Sequence, residues 1–196
     1  MKYKTIAISR EFGSGGRTIG KNVAEKLGIP CYDQELIEMI AKESGFSEEY
    51  IKSNDEQTQK GGLFGGLFTD RVYDTPITQD VVWDVQKKIV LELAQKGPCV
   101  IVGRCADYVL RDKADCLRVF IHADINKRMD RIVAVYGERE DTPRKRVENK
   151  DKRRKAYYEK YTDQKWGAAE NFHIALDSGE LGLETCEKIL FDLYQG

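Results

Sequence analysis

Apolar residues recur along this chain in two rhythms. Short unbroken runs rich in β-branched side chains alternate with longer stretches whose apolar positions lie three or four residues apart. Residues 4–9, ending in Ile6-Ala7-Ile8-Ser9, form the first run and predict a strand buried on both faces. Ile19, Val23, Ala24 and Leu27 then predict a helix over 18–27, with Gly28 as its C-cap and Pro30 beyond. A short strand at Cys31-Tyr32 leads to Asp33 and a helix over 36–42, and residues 45–62 read as short helix plus loop. Residues 80–96 predict an amphipathic helix with Val81, Val82, Val85, Ile89, Leu93 and Ala94 on its apolar side. Further apolar runs at 98–102, 117–123 and 172–176 predict strands, and 183–194 predicts a closing helix. Four or five apolar strands alternating with helices indicate parallel βαβ units covered on both faces. The fold class is α/β, a three-layer αβα sandwich around a parallel sheet.

Length and composition narrow this further. At 196 residues the chain supports one well-buried domain and is too short for two ordinary ones. No segment has the apolar length of a membrane span, and the chain enters its first strand at once, without the apolar core of a signal peptide. Five scattered cysteines without C-x-x-C spacing argue against a disulfide framework or a zinc site, and for the cytoplasm. The net charge of −1 conceals an asymmetry: residues 126–165 carry 14 Lys/Arg against 8 Asp/Glu. That segment, helical with breaks near Tyr136-Gly137 and Thr142-Pro143, suits a phosphorylated ligand. Nucleic acid is disfavoured, because the chain as a whole is slightly acidic. A near-repeat of Gly-Gly-Leu-Phe at 61–68 combines turn-forming glycines with large apolar side chains, and fits either a flap or a dimer contact. The sequence leaves oligomeric state open.

The candidate chemistry begins where the first strand ends. Strand, glycine-rich turn and helix is the arrangement in which backbone N–H groups and a helix dipole meet phosphate oxygens. The usual pattern is G-x-x-x-x-G-K-[ST]. Here Glu11 stands at the first glycine and Arg17 at the lysine, while Gly13, Ser14, Gly15, Gly16, Arg17 and Thr18 supply the rest. These six residues form the nucleotide-binding set: Arg17 places positive charge on the phosphates, and Thr18 offers its hydroxyl to Mg²⁺. Asp33, ending the second strand, reads either as a residue orienting the acceptor or a Mg²⁺-bound water, or as the N-cap of the helix that follows. His122 and His173 lack a nucleophile or metal-ligand neighbour and read as structural. Tyr157, Tyr158, Tyr161 and Trp166 read as packing for the basic helix.

Taken in order, the loop, "CYDQELI" (31–37), "CVIVGRCADYVL" (99–110), "LRVFIHAD" (117–124) and "DKRRKAYYEKYTDQKW" (151–166) make the chain resemble the cytidylate kinase-like family, within the P-loop nucleoside monophosphate kinases. The resemblance covers nearly the whole chain. It implies an ATP-dependent phosphotransferase using Mg²⁺, strand order 2-3-1-4-5, an acceptor-binding region at about 34–80 and an arginine-bearing lid at about 137–157. Cytidylate kinases carry G-R-D after the third strand, where arginine and aspartate hold the acceptor nucleotide. Gly103-Arg104 match, Cys105 replaces the aspartate, and Asp107 follows two residues later, so Arg104 and Asp107 join Asp33 as acceptor candidates. Asp151 and Arg154 reproduce the lid's D-x-x-R spacing. Arg17, Arg153, Arg154 and Arg131 are the catalytic candidates, with Arg128 on the same helix face as Arg131, because the transferred phosphoryl group needs several converging cations. CMP or dCMP is the first acceptor implied. Another small acceptor, or a nucleotide-binding regulatory module without turnover, remains as the alternative.

Overall fold

The structure is a computed structural model and describes residues 2–49, 51 and 76–196. The Gly-Gly-Leu-Phe repeat and most of the loop expected up to residue 62 lie outside the described residues. The elements follow the order β1 Thr5–Arg10, α1 Gly16–Leu27, β2 Cys31–Tyr32, α2 Gln34–Ser44, α3 Pro76–Lys96, β3 Cys99–Val102, α4 Ala106–Val109, β4 Cys116–His122, α5 Ile125–Tyr136 and α6 Pro143–Thr162. A 3₁₀ turn at Ala169–Asn171, β5 Ile174–Asp177, α7 Ser178–Leu181 and α8 Leu183–Gln195 complete the chain.

The five strands form one parallel sheet in the order β2-β3-β1-β4-β5, as the resemblance implied. β1 is central, with Ile8 opposite Val102 on one side and Val119 on the other. Every residue of β1 up to Ser9 is buried, which explains its unbroken apolar run. The pleat divides it between two cores. Ile6 and Ile8 face a layer made by α1 and α8 through Ile19, Val23, Leu190 and Tyr194. Ala7 faces the other, made by α2, α3 and α4 through Leu36, Ile40, Ile89, Leu93 and Ala106, with Leu110 just beyond α4.

Three local expectations shift. In α3, Val81 is 44% exposed while Trp83 and Gln86 are buried. The helix is covered on two sides, by α2 and by the aromatic residues of α6, so its buried surface is wider than one apolar stripe. Trp83 stacks on Tyr161 with ring centroids 4.8 Å apart. Gln86 Nε2 donates to the Arg104 carbonyl at 2.9 Å, and Tyr157 Oη donates to Gln86 Oε1 at 3.2 Å, which satisfies a buried amide. The fifth strand begins at Ile174, because Phe172 closes the 3₁₀ turn and packs on Phe120 with centroids 5.1 Å apart. The helix after Asp33 begins at Gln34 and runs to Ser44.

The break in the basic segment falls where glycine and proline placed it. Gly137, at φ 71°, ends α5, and Thr142 accepts from the Lys145 amide to start α6 with Pro143 in its first turn. All five cysteines are free thiols, four of them buried. Among the described residues no helix is long and apolar enough to cross a membrane. Because Ile6 sits at the centre of the sheet with no exposed surface, Ile6→Ala should cost about 2–5 kcal/mol of unfolding free energy, measured by urea titration.

Candidate functional site

A cleft of about 710 Å³ opens beyond the carboxyl end of the sheet, floored by residues 10–13 and 15–18 and walled by Asp33, Gln34, α5 and α6. This is the edge where ligands bind in open α/β sheets. Its floor is a tight turn that glycine alone permits at two points. Gly13 and Gly15 have φ of 83° and 81°; a Cβ at Gly13 would lie 2.8 Å from the Arg128 carbonyl oxygen, and one at Gly15 2.6 Å from Leu183. Ser14 turns inward, with its hydroxyl within reach of the Glu11 and Ile121 carbonyls at 2.9 and 3.0 Å. Its own carbonyl accepts from the Ser178 hydroxyl at 2.5 Å. Ser14 thus shapes the loop with its side chain and, unlike Gly13, Gly15, Gly16, Arg17 and Thr18, does not line the cleft. The helix that follows has no side-chain cap and no acidic residue in its first turn. Its N-terminal dipole is therefore not offset by a local carboxylate.

Glu11, at the position of the first glycine, has a defined partner set. Its Oε2 accepts from the Ala123 amide at 3.1 Å and lies 3.4 Å from Arg128 Nε. Burial raises the pKa of its carboxyl above the ordinary value. Arg128 donates from Nε to the Ala123 carbonyl at 3.0 Å and from Nη1 to the Phe12 carbonyl at 3.2 Å, and pairs closely with Asp151. Asp151 Oδ1 accepts from the Phe12 amide at 2.7 Å. One largely buried ion pair thereby ties the loop, α5 and the middle of α6 together, and Arg128 acts as their clamp.

The remaining cations surround the cleft. Arg131 Nη2 donates to Thr18 Oγ1 at 3.0 Å. Arg153 and Arg154 line the wall from α6. Arg154 Nη1 donates to the Arg10 carbonyl at 3.1 Å, and its guanidinium sits 5.7 Å from the Phe12 ring centroid. Arg17 reaches across the cleft: its Nε pairs with Asp33 Oδ2, and its Nη2 donates to Gln34 Oε1 at 3.2 Å. Asp33 occupies the N-cap position of α2 but makes no side-chain capping bond. Its carboxylate is engaged with Arg17, and Arg10 Nη2 stands 3.9 Å away.

Arg104 and Asp107 lie elsewhere. Gly103, Arg104 and Cys105 turn in consecutive left-handed conformations after β3, with φ of 82°, 55° and 51°. This turn buries the Arg104 side chain, whose Nη1 is 3.5 Å from the Ile51 carbonyl oxygen. Asp107, 3% exposed, accepts from Tyr158 Oη at 2.8 Å, and burial pushes its pKa from 3.8 up to about 6. Neither residue lines the cleft. His173 Nδ1 accepts from the Arg118 amide at 3.1 Å, a structural contact. Arg10 and Gln34 line the cleft without having been singled out from the sequence, and Asp151 proves to be a clamp residue. Arg10 had one signal: it is the charged residue that closes a strand otherwise uncharged and buried, immediately before the glycine-rich turn.

The cytidylate kinase-like family matches residues 5–180, and the chain belongs to it. No curated protein matches. Among solved structures, an uncharacterized protein from Eubacterium ventriosum ATCC 27560 shares 27% identity over 98% of each chain, with a TM-score of 0.74. Shikimate kinase from Acinetobacter baumannii, in complex with shikimate, aligns over 98% of this chain and 93% of its own at 13% identity and a TM-score of 0.56. Shikimate kinase from Bacteroides thetaiotaomicron aligns over 98% of each chain at 14% identity and a TM-score of 0.56. At such identities these two likenesses extend to the fold, which is that of the P-loop kinases.

Two outcomes follow from the site's electrostatics. Asp151→Ala leaves Arg128 buried beside Glu11 alone, and should cost about 3 kcal/mol in urea unfolding, with faster hydrogen exchange at the Phe12 amide. The folded protein takes up a proton at Asp107 at higher pH than the unfolded chain. Its contribution to stability is therefore full below about pH 4 and lost as the pH rises through about 6. Asp107→Asn stays neutral and should gain about 1–3 kcal/mol on the parent between acid and neutral pH, read from unfolding curves at several pH values.

Proposed function

We propose that this protein transfers the γ-phosphoryl group of MgATP to a nucleoside monophosphate, with CMP and dCMP the first acceptors to test. The observation that carries the reading is convergence. The uncapped N-terminus of α1 opens on a cleft lined by guanidinium groups from four elements, Arg10 of β1, Arg17 of α1, Arg131 of α5, and Arg153 and Arg154 of α6. Phosphoryl transfer needs little more of a protein than positioning and charge neutralisation, and this cleft is made of donors for both.

In this reading the backbone of residues 13–18 cradles the donor's phosphates. Thr18, at the first turn of α1, is the hydroxyl that would hold Mg²⁺; it accepts one hydrogen bond from Arg131 and keeps a further lone pair. Among the described residues no cluster of three or more His, Cys, Asp or Glu side chains is placed to hold a metal, so this hydroxyl and the phosphates themselves are the ligands that fit. The ion supplies charge neutralisation on the phosphate oxygens. Arg17 and Arg131 flank the donor, and Arg153 and Arg154 close over the group in transit. An acceptor oxygen forms the new bond to the γ-phosphorus as the bond to the bridging oxygen breaks, and ADP leaves. Residues 137–157 act as the lid and about 34–80 as the acceptor-binding part of a single 196-residue domain. Free, largely buried thiols fit work in the cytoplasm.

A second reading keeps this chemistry and changes the acceptor. Burial of Arg104, and the bond from Tyr158 to Asp107, remove from the cleft the two side chains on which recognition of a cytidine monophosphate would rest.

Measuring ADP release from MgATP with CMP, dCMP, UMP, AMP, GMP and a set of small alcohols and acids separates these readings. Stimulation by CMP or dCMP supports the first, and stimulation by a non-nucleotide supports the second. ATP binding with no stimulation by any of them would overturn both in favour of a module without turnover. With a working acceptor, Arg17→Ala should lower the rate about 10³-fold with unchanged circular dichroism.

A further inference from the structure

β1 ends on Arg10, whose side chain is 17% exposed in the cleft floor. Its path is set by two glycines. A Cβ at Gly16 would approach Arg10 Cβ to 2.7 Å, and one at Gly103 would come within 2.0 Å of Nη1 and 2.8 Å of Cζ. Gly103 follows β3, the neighbour of β1, so the guanidinium rests on backbone that no other residue type would leave open. The head points toward Asp33, beyond β2, with Nη2 3.9 Å from Oδ1. Asp33 also pairs with Arg17, so one carboxylate faces two guanidinium forks.

This direction divides the cleft. The glycine-rich turn is braced from the β4–β5 side, through Ala123, Arg128, Ser178 and Leu183. Arg10, Arg17 and Asp33 gather on the β3–β2 side. A phosphoryl transfer needs two ligands end to end, one on the turn and one beyond it. A guanidinium held in a fixed slot presents its fork to a planar or tetrahedral oxyanion with little ordering cost.

Resting on the phosphotransferase reading, we propose that Arg10 binds an anionic oxygen group of the phosphoryl acceptor, a phosphate monoester or a carboxylate. Gly103 is the residue that admits the Arg10 guanidinium, and Asp33 aligns the Arg10 and Arg17 forks.

The test fills the donor site and probes what remains. Wild-type protein is saturated with Mg²⁺ and the β,γ-imido analogue of ATP, so that the γ position is occupied. Inorganic phosphate is then titrated in one arm and acetate in the other, with binding followed by NMR. Phosphate binding marks a phosphate-bearing acceptor, and acetate binding a carboxylate-bearing one. Arg10→Gln should weaken the bound anion at least about tenfold, Arg10→Lys less, and Gly103→Ala should repeat the loss by displacing the guanidinium. Affinity for the ATP analogue should stay within about twofold of wild type in the Arg10 variants, and thermal melting verifies their fold. Unchanged anion affinity in Arg10→Gln, binding of neither anion by the wild type, or an equal loss of the ATP analogue overturns the assignment while the phosphotransferase reading stands. Failure of the wild type to bind the analogue overturns both.

Discussion

The ion pair between Arg128 and Asp151 holds together three pieces of chain that are distant in sequence. Arg128 belongs to α5, Asp151 to α6, and both reach the backbone of Phe12 in the loop. Breaking such a pair strands a charge in a place with little water, so the contact favours keeping the three pieces together. Two of the cleft's cations take their position beside this clamp. Arg131 lies one helical turn from Arg128, and Arg154 three residues from Asp151, which places both guanidinium groups over the loop.

The two departures from the usual phosphate-loop pattern are matched by partners elsewhere. A carboxylate beside a phosphate site is unfavourable unless it is engaged elsewhere. Glu11 lines the cleft, but one oxygen of its carboxylate is engaged by the Ala123 amide and Arg128. An arginine in place of lysine is longer and forked, and Arg17 uses that reach to bridge to Asp33 and Gln34. The substitutions therefore read as one arrangement, in which the loop is braced on the β4–β5 side and its cation is directed to the β3–β2 side.

The aromatic residues that follow Arg153 and Arg154 do the packing that the sequence suggested. Tyr161 stacks on Trp83, Tyr157 packs on Tyr161 with centroids 4.9 Å apart, and Trp166 meets Phe120 edge-on at 5.6 Å. Through them α6 leans on α3 and on the sheet, so the helix that carries Arg153 and Arg154 is anchored along its second half. Tyr158 adds a buried hydrogen bond to Asp107 that links the same helix to the turn after β3.

Local physics was enough to determine the strands, the loop and the breaks of the basic segment. A parallel strand buried on both faces must be apolar throughout, a left-handed turn selects glycine, and proline starts a helix, so each leaves its mark within a few residues. Resemblance to a family supplied the strand order. Tertiary structure alone decided which polar side chains meet. Arg128 and Arg131 are alike in sequence, yet one is a buried clamp and the other faces Thr18, because α5 turns them toward different neighbours. Asp33 stands at a helix start and could have capped it, but the ion pair with Arg17 claims its carboxylate. Val81, expected on the apolar side, is exposed while Gln86 is buried, because α3 is covered from two directions. Polar partners lie tens of residues apart and carry no periodic signature, so the sequence sets which groups are present and only the packing of helices on the sheet sets which of them touch.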